Sequence, residues 1–449
     1  MVFSKDFAWG VASASYQIEG AHDADGKGPS NWDAFCRQPG AVFDGHTGEV
    51  ACDHYRRWPE DVALLRGLGL KAYRLSLSWP RILPQGAGVV NEAGVAFYDR
   101  LIDALLADGI TPWVTLYHWD LPLALQRRGG WSNPDSARWL AEYAAVCGRR
   151  FGDRVRHWMP VNEPQCVIQL GLVSGLHAPG YRMPVPDAAQ AAHHLTMGTL
   201  LAAAALRTTA KLPAEIGCAM AVSAFAPASE SDADIAAARQ ATWRVGNEDL
   251  WNNAWWADPL FRGAYPEQHN ALAAPDPHPD QAEAFRQRLD FCGLNLYSAR
   301  IVRADAHGLP QIVPRPPGFV RTAQDNWHMT PTLLRWMPRF FHERYQVPIV
   351  ITENGHQNLD HVHLDGQVHD PQRIDYLQRH LRELGRAVDD GVPLRGYFQW
   401  TLMDNFEWAC GYNVRVGLVH VDFATQVRTP KDSYAWYREV VASNGASLG

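Results

Sequence analysis

Short runs rich in β-branched and aromatic residues alternate along the chain with longer stretches whose apolar residues recur at helical spacing. Eight such runs stand out, at 7–12, 72–77, 112–117, 157–162, 215–222, 291–297, 348–353 and 395–401. Between them, 53–68 opens on Asp53 and carries Val62, Leu65 and Leu68 on one face, while Phe97, Leu101 and Leu105 repeat every four residues. Stretches 134–151, 188–206, 374–388 and 433–441 extend the pattern, with Asn133 and Ser433 placed to start the first and the last of these. Strand and helix alternating in this way predict an α/β fold, a parallel sheet closed as a single (β/α)8 TIM barrel with an outer ring of helices. Two connections exceed what a barrel loop needs: 223–290, with the Trp-rich stretch 243–256, and 298–345, rich in Pro. Such insertions at the C-terminal face of the strands are expected to build the mouth of a pocket. No repeat, low-complexity tract or linker divides the chain, so 1–449 reads as one domain.

Composition narrows the partners. With 47% hydrophobic and 20% charged residues the chain has ample apolar material for a large core and a wettable surface. A net charge of -7, with no run of Lys and Arg, argues against nucleic acid or an anionic membrane, so an uncharged partner is expected. The cysteines (Cys36, Cys52, Cys147, Cys166, Cys218, Cys292 and Cys410) are scattered singly without a CxxC pair and read as reduced thiols. The start, Met-Val-Phe-Ser-Lys-Asp-Phe-Ala-Trp-Gly, lacks the charged and apolar regions of a secretory signal, and no apolar stretch is long enough to span a bilayer. A cytoplasmic location is therefore expected. Nothing in the sequence specifies an oligomeric state.

Two acidic residues sit at the ends of predicted strands half a barrel apart: Glu163 in Met-Pro-Val-Asn-Glu-Pro and Glu353 in Ile-Val-Ile-Thr-Glu-Asn-Gly. The C-terminal ends of the fourth and seventh strands face one mouth, so these carboxyl groups can converge. A lone Glu in such a place more often caps a loop or pairs with an Arg. Two together supply what glycosidic-bond cleavage needs: one group protonated to assist the departing oxygen, the other ionised to meet an oxocarbenium-like carbon.

At these residues the sequence resembles glycoside hydrolase family 1, the β-glucosidase and β-galactosidase family, in its non-phospho subgroup. Asn-Glu-Pro at 162–164 resembles that family's acid/base motif and Ile-Thr-Glu-Asn-Gly at 351–355 its nucleophile motif. Supporting segments follow in the family's order: 7–20, 73–81, Tyr-His-Trp-Asp-Leu-Pro at 117–122, Asn-Leu-Tyr at 295–297 and Trp-Thr-Leu-Met-Asp-Asn-Phe-Glu-Trp at 400–408. The resemblance implies a retaining exo-β-glycosidase, β-glucosidase foremost, acting on small neutral β-glycosides without cofactor or metal. It implies Glu163 as general acid/base, Glu353 as nucleophile, and Arg74, Tyr297 and Asn295 as their partners. Gln17, His118, Asn162, Glu407 and Trp408 are implied to hydrogen-bond the sugar, Trp400 to stack under it, Trp119 to close its side and Trp327 to form an aglycone platform. Amides, imidazole and carboxylate suit the alternating donors and acceptors of a neutral pyranose. A cation and a phenol beside Glu353 would favour its ionised form; Glu163, partly desolvated beside a second carboxylate, should stay protonated.

Some positions depart from the resemblance. Members that cleave 6-phosphosugars carry Ser, Lys and Tyr where this chain has Glu407, Val414 and Val416, and a carboxylate with two valines repels a phosphate dianion. Val416 stands where non-phospho members generally have Phe, which should loosen the wall near C6 and admit β-fucosides or β-galactosides. His356 and Gln169-Leu-Gly171 also differ and are expected to reshape the aglycone side. His356, His361, His363 and His369, with Asp360 and Asp365, fit no zinc spacing and read as a polar, solvated loop. Two further functions remain open on sequence: a transglycosylase using the same carboxylates, and a glycan-binding protein that has lost catalysis.

Overall fold

The computed structural model describes residues 3–267, 276–323 and 327–449. Eight strand positions form its centre: β1 (Ala8–Ser13), β2 (Ala72–Ser76), β3 (Thr111–Tyr117), β4 (His157–Val161), β5 (Glu215–Ile216 continued by Met220–Ala221), β6 (Cys292–Asn295), β7 (Ile349–Asn354) and β8 (Leu394–Trp400). All pair in parallel with their neighbours, and β1 pairs with both β2 and β8. The ring closes at β5. Its first part pairs with β4, its second with β6, and single bridges at Gly217 and Ala219 join it to Phe291 and Asn162. The expected (β/α)8 barrel is the observed architecture, with the fifth strand broken between Ile216 and Met220, where single bridges replace the ladder.

Side chains alternate across each strand, so one set fills the barrel and the other meets the helices. Ala72, Trp113, Met159, Phe291, Val350 and Phe398 form a closed interior cluster. A larger cluster packs the outer strand faces against the surrounding helices, among them α1 (His54–Gly67), α2 (Glu92–Ala107), α3 (Ser136–Phe151), α4 (Val185–Thr209), α5 (Leu333–Tyr345), α6 (Pro371–Asp389) and α7 (Asp432–Ala442). On α1, Val62 and Leu65 are buried, and on α2 Phe97, Leu101 and Leu105 are, as their spacing requires.

The helix starts differ in detail. Asn133 closes the turn ahead of α3 by accepting from the Asp135 N–H at 2.9 Å, and α3 begins at Ser136. Ser433 lies inside the first turn of α7, and its hydroxyl donates to Asp370 at 2.6 Å, so it does not cap that helix. The two long connections share a three-stranded sheet, Ala224–Pro227, Ala299–Ala304 and Pro310–Ile312. Within the Trp-rich stretch only Trp251 reaches the cavity described below; Trp255 and Trp256 are core, and Trp243 packs on Phe341.

Candidate active site

A cavity of about 630 Å³ opens at the C-terminal ends of the strands, and Glu163 and Glu353 both line it. Each reaches it through a local irregularity. Strict alternation from Val350 and Thr352 would turn Glu353 outward, but the register of β7 slips between Ile351 and Glu353, as bulges near functional sites commonly do. Glu163 follows β4 with φ 44 and ψ 66, a left-handed turn that starts the short helix Pro164–Ile168. Beyond β7 the chain passes so close to Trp400 that a Cβ on Gly355 would lie 1.9 Å from its carbonyl oxygen, so only glycine fits after Glu353-Asn354.

The two carboxyl groups have opposite surroundings. Glu353 accepts from Arg74 Nη1 at 2.5 Å on one oxygen and from the Tyr297 hydroxyl at 2.7 Å on the other. Arg74 alternates inward from β2 with Ala72, and donates also to the Thr352 carbonyl at 3.0 Å and to Asn162 Oδ1 at 2.6 Å. Glu163 accepts from Asn295 Nδ2 at 2.8 Å and from the Cys166 thiol at 3.2 Å. Burial, then the charge of Glu353, pushes the Glu163 carboxyl up to about 7 from 4.5. Asn295 is fixed in turn by the Thr352 hydroxyl, which donates to Asn295 Oδ1 at 2.7 Å.

This network determines which way amides and imidazole point. Asn162 Oδ1 receives both Arg74 and Asn295, so its Nδ2 must donate to His118 Nε2 at 3.1 Å. His118 therefore carries its proton on Nδ1, and burial followed by the Arg74 charge holds it neutral, well below the usual histidine range. Its ring lies nearly parallel to Trp400 at 5.7 Å and to Trp408 at 5.8 Å. Gln17 lies fully buried, donating to Asn405, to the Phe406 carbonyl and to Glu407 Oε2 at 3.2 Å, while its Oε1 has no partner. Trp119 donates to the Asn162 carbonyl at 3.0 Å, and Trp327 packs on Tyr297 with centroids 4.9 Å apart. All thirteen residues predicted for the site thus gather around one cavity or in direct contact with its lining.

The arrangement offers a carboxyl that holds its proton near neutrality and a second held by a cation and a phenol, facing one apolar-walled, hydroxyl-matching pocket. Comparison with known proteins fits this chemistry. A sequence model described as Glycosyl hydrolase family 1 matches residues 1–446. The chain belongs to glycosyl hydrolase family 1. Beta-glucosidase A of Thermotoga maritima is 46% identical over 447 residues, covering 99% of this chain and 98% of that protein. The beta-glucosidase of an Agrobacterium species is 43% identical, covering 97% of this chain and 94% of its own. Solved structures of the Thermotoga maritima beta-glucosidase superpose with a TM-score of 0.89 over 99% of both chains, in complexes with glucoimidazole at 46% identity and with galacto-hydroximolactam at 45%.

Several residues of this family 1 site carried no readable signal in the sequence. Thr115, which orients Arg74, is indistinguishable from an ordinary strand threonine, and the Ile-Thr-Glu-Asn-Gly motif contains Thr352 without marking its bond to Asn295. Cys166, at the Glu163 carboxyl, resembled any other scattered cysteine. The histidine segment is only partly the solvated loop expected of it: His361, His363 and His369 are exposed there, whereas His356 is buried against Tyr376 and Asp360 is buried between Arg373 and Lys431. His356 and Asp360 are held inward by Tyr376 and Arg373 in the first turns of α6 and by Lys431.

Proposed function

We propose that this family 1 enzyme is a retaining β-glucosidase acting on small neutral β-glycosides, with Glu353 as nucleophile and Glu163 as acid and then base. The observation that carries the reading is the opposite setting of the two carboxyls, one buried and raised to about 7, the other bonded by Arg74 and Tyr297. Glu353 attacks the anomeric carbon from one face while Glu163 passes its proton to the departing glycosidic oxygen. The resulting ester carries no charge, so the repulsion that raises Glu163 falls away and it stays the carboxylate that this transfer left. As carboxylate it then takes a proton from water, which breaks the ester at the anomeric carbon and frees Glu353. Asn295 and Cys166 stay on Glu163 through both steps, since each donates to it.

Sugar recognition is assigned to Gln17, His118, Asn162, Glu407 and Trp408, with Trp400 and Trp119 as the apolar walls and Trp327 on the aglycone side. The His118 Nδ1–H, on a residue that lines the cavity, is a donor a hydroxylated ring can use, and Gln17 is tied to the cavity through its bond to Glu407. Glu407 with the buried Val414 and Val416 favours an unphosphorylated sugar. That a related enzyme has been solved with both glucoimidazole and galacto-hydroximolactam supports tolerance of glucose- and galactose-like rings. We place the enzyme in the cytoplasm, acting as one unit over 1–449, on the support of seven free cysteines. Among the described residues no helix is long and apolar enough to cross a membrane. Proton NMR of the first-formed sugar tests the mechanism: a β-glucoside should release the β-anomer first, and an initial α-anomer would contradict it.

A further inference from the structure

Behind the sugar-facing loops six alternating charges form one chain: Asp370, Arg373, Asp360, Lys431, Asp404 and Arg415. Arg373 contacts Asp370 and reaches Asp360 at 2.6 Å; Lys431 Nζ bridges Asp360 at 2.5 Å and Asp404 at 2.7 Å; Arg415 reaches the second Asp404 oxygen at 2.7 Å. The side chains of Arg373, Asp360, Lys431 and Asp404 have 0% exposure. None of the six lines the cavity.

Their positions in the chain give them a use. Asp404 opens the loop after β8, and its Oδ1 accepts from the Gly417 N–H at 3.0 Å, so one carboxylate closes the 404–417 loop on itself. Glu407, Trp408 and Val416 project from that loop, which holds little regular structure beyond the turn Trp408–Cys410. Asp360 belongs to the loop after β7, four residues beyond His356 and seven beyond Glu353, and a bridge between Asn358 and Arg415 ties the two loops side by side. Arg373 donates to the carbonyls of both loops, at His356 and Arg415. A well-packed apolar core can match a buried ionic cluster in stability, so cohesion alone does not account for one here.

We propose that Lys431 and Asp404 are positioning residues for sugar recognition, fixing the loop that carries Glu407, Trp408 and Val416 against the loop that follows Glu353. The assignment rests on the β-glycosidase reading and concerns selectivity among sugars, not the chemistry at the anomeric carbon. Removing the ammonium leaves Glu163 and Glu353 with their own partners but lets the 404–417 loop shift relative to them.

The test uses the full-length enzyme with nitrophenyl β-glucoside and its 2-, 3-, 4- and 6-deoxy analogues. The readout is the ratio of kcat/KM for glucoside to that for each analogue. Such a ratio is independent of the fraction of enzyme folded, so a merely structural role cannot move it. Glu407→Gln marks the hydroxyl positions that the loop reads. Lys431→Met should lower the ratio at those same positions at least threefold and leave the others within twofold. Asp404→Asn, which keeps shape and one acceptor, should reproduce the pattern and serves if Lys431→Met fails to fold. Wild-type ratios in the variant that folds, or losses spread evenly over all four positions, would overturn the proposal. Absence of wild-type hydrolysis of every β-glucoside would instead strike the function from which it starts.

Discussion

Glu163→Gln should change how stability depends on pH. In the folded enzyme the Glu163 carboxyl is raised from 4.5 to about 7, by burial first and by Glu353 second. Below pH 4.5 folded and unfolded chains both hold the proton. Between 4.5 and 7 the unfolded chain releases it while the folded chain keeps it, so the folded state loses stability as pH rises. A gap of about 2.5, at about 1.36 kcal/mol for each pH step, amounts to about 3 kcal/mol lost by pH 8. Glutamine has nearly the same shape, stays neutral and does not share that loss. An unfolding entropy of about 2.1 cal/mol/K per residue gives roughly 1 kcal/mol per degree for a chain of this length, so the predicted effect is about 3 °C. Calorimetric melts of both proteins at pH 5 and pH 8 measure it. The Tm of the variant relative to wild type should rise by about 3 °C from pH 5 to pH 8. A difference that stays constant with pH would mean that Glu163 is not held protonated in the folded site, and the argument for it as proton donor would fail.

Other outcomes follow from the same geometry. Asn295→Ala removes a donor that favours the ionised form of Glu163, so the alkaline limb of the kcat/KM profile, expected near 7 in the wild type, should move upward; a downward move would contradict the bond. Glu163→Ala should lose on the order of 10²–10⁴-fold on alkyl glucosides but keep its first step on dinitrophenyl glucoside, with azide restoring turnover as the β-glycosyl azide. Equal losses on both substrates without azide rescue would remove Glu163 from its role. Nitrophenyl β-glucoside should exceed the 6-phosphoglucoside in kcat/KM, with β-fucoside or β-galactoside also hydrolysed; a preference for the phosphosugar would refute the reading of Glu407 beside Val414 and Val416.

What could be read from the chain divides along physical lines. Strands show in the sequence because burial on both faces forces continuous apolar runs, and seven of the eight runs became unbroken strands within a few residues of their expected ends. The fifth is interrupted at 217–219, where only single bridges reach its neighbours, and no residue pattern marked that break. The carboxylates and, of their partners, Arg74, Tyr297 and Asn295 were legible because short motifs carry them, whereas Cys166 was not. The Asp360–Lys431–Asp404 chain was not, since its members lie 71 and 27 residues apart and each alone looks like a surface charge. Trp255 and Trp256 show the converse: the Trp-rich insertion expected at the pocket mouth brings Trp251 to the cavity but uses these two rings to fill the core.

The central claim is that Glu353 forms a covalent bond to the sugar, and trapping that bond tests it most directly. A 2-deoxy-2-fluoro-β-glucoside with a dinitrophenolate leaving group should inactivate the enzyme by letting the first step outrun the second. Proteolysis and mass spectrometry should then place one fluoroglucosyl group on the peptide that carries Ile351-Thr352-Glu353-Asn354-Gly355, with fragment ions assigning it to Glu353. A label on Glu163 or on any other residue, or turnover without any covalent adduct, would contradict the account.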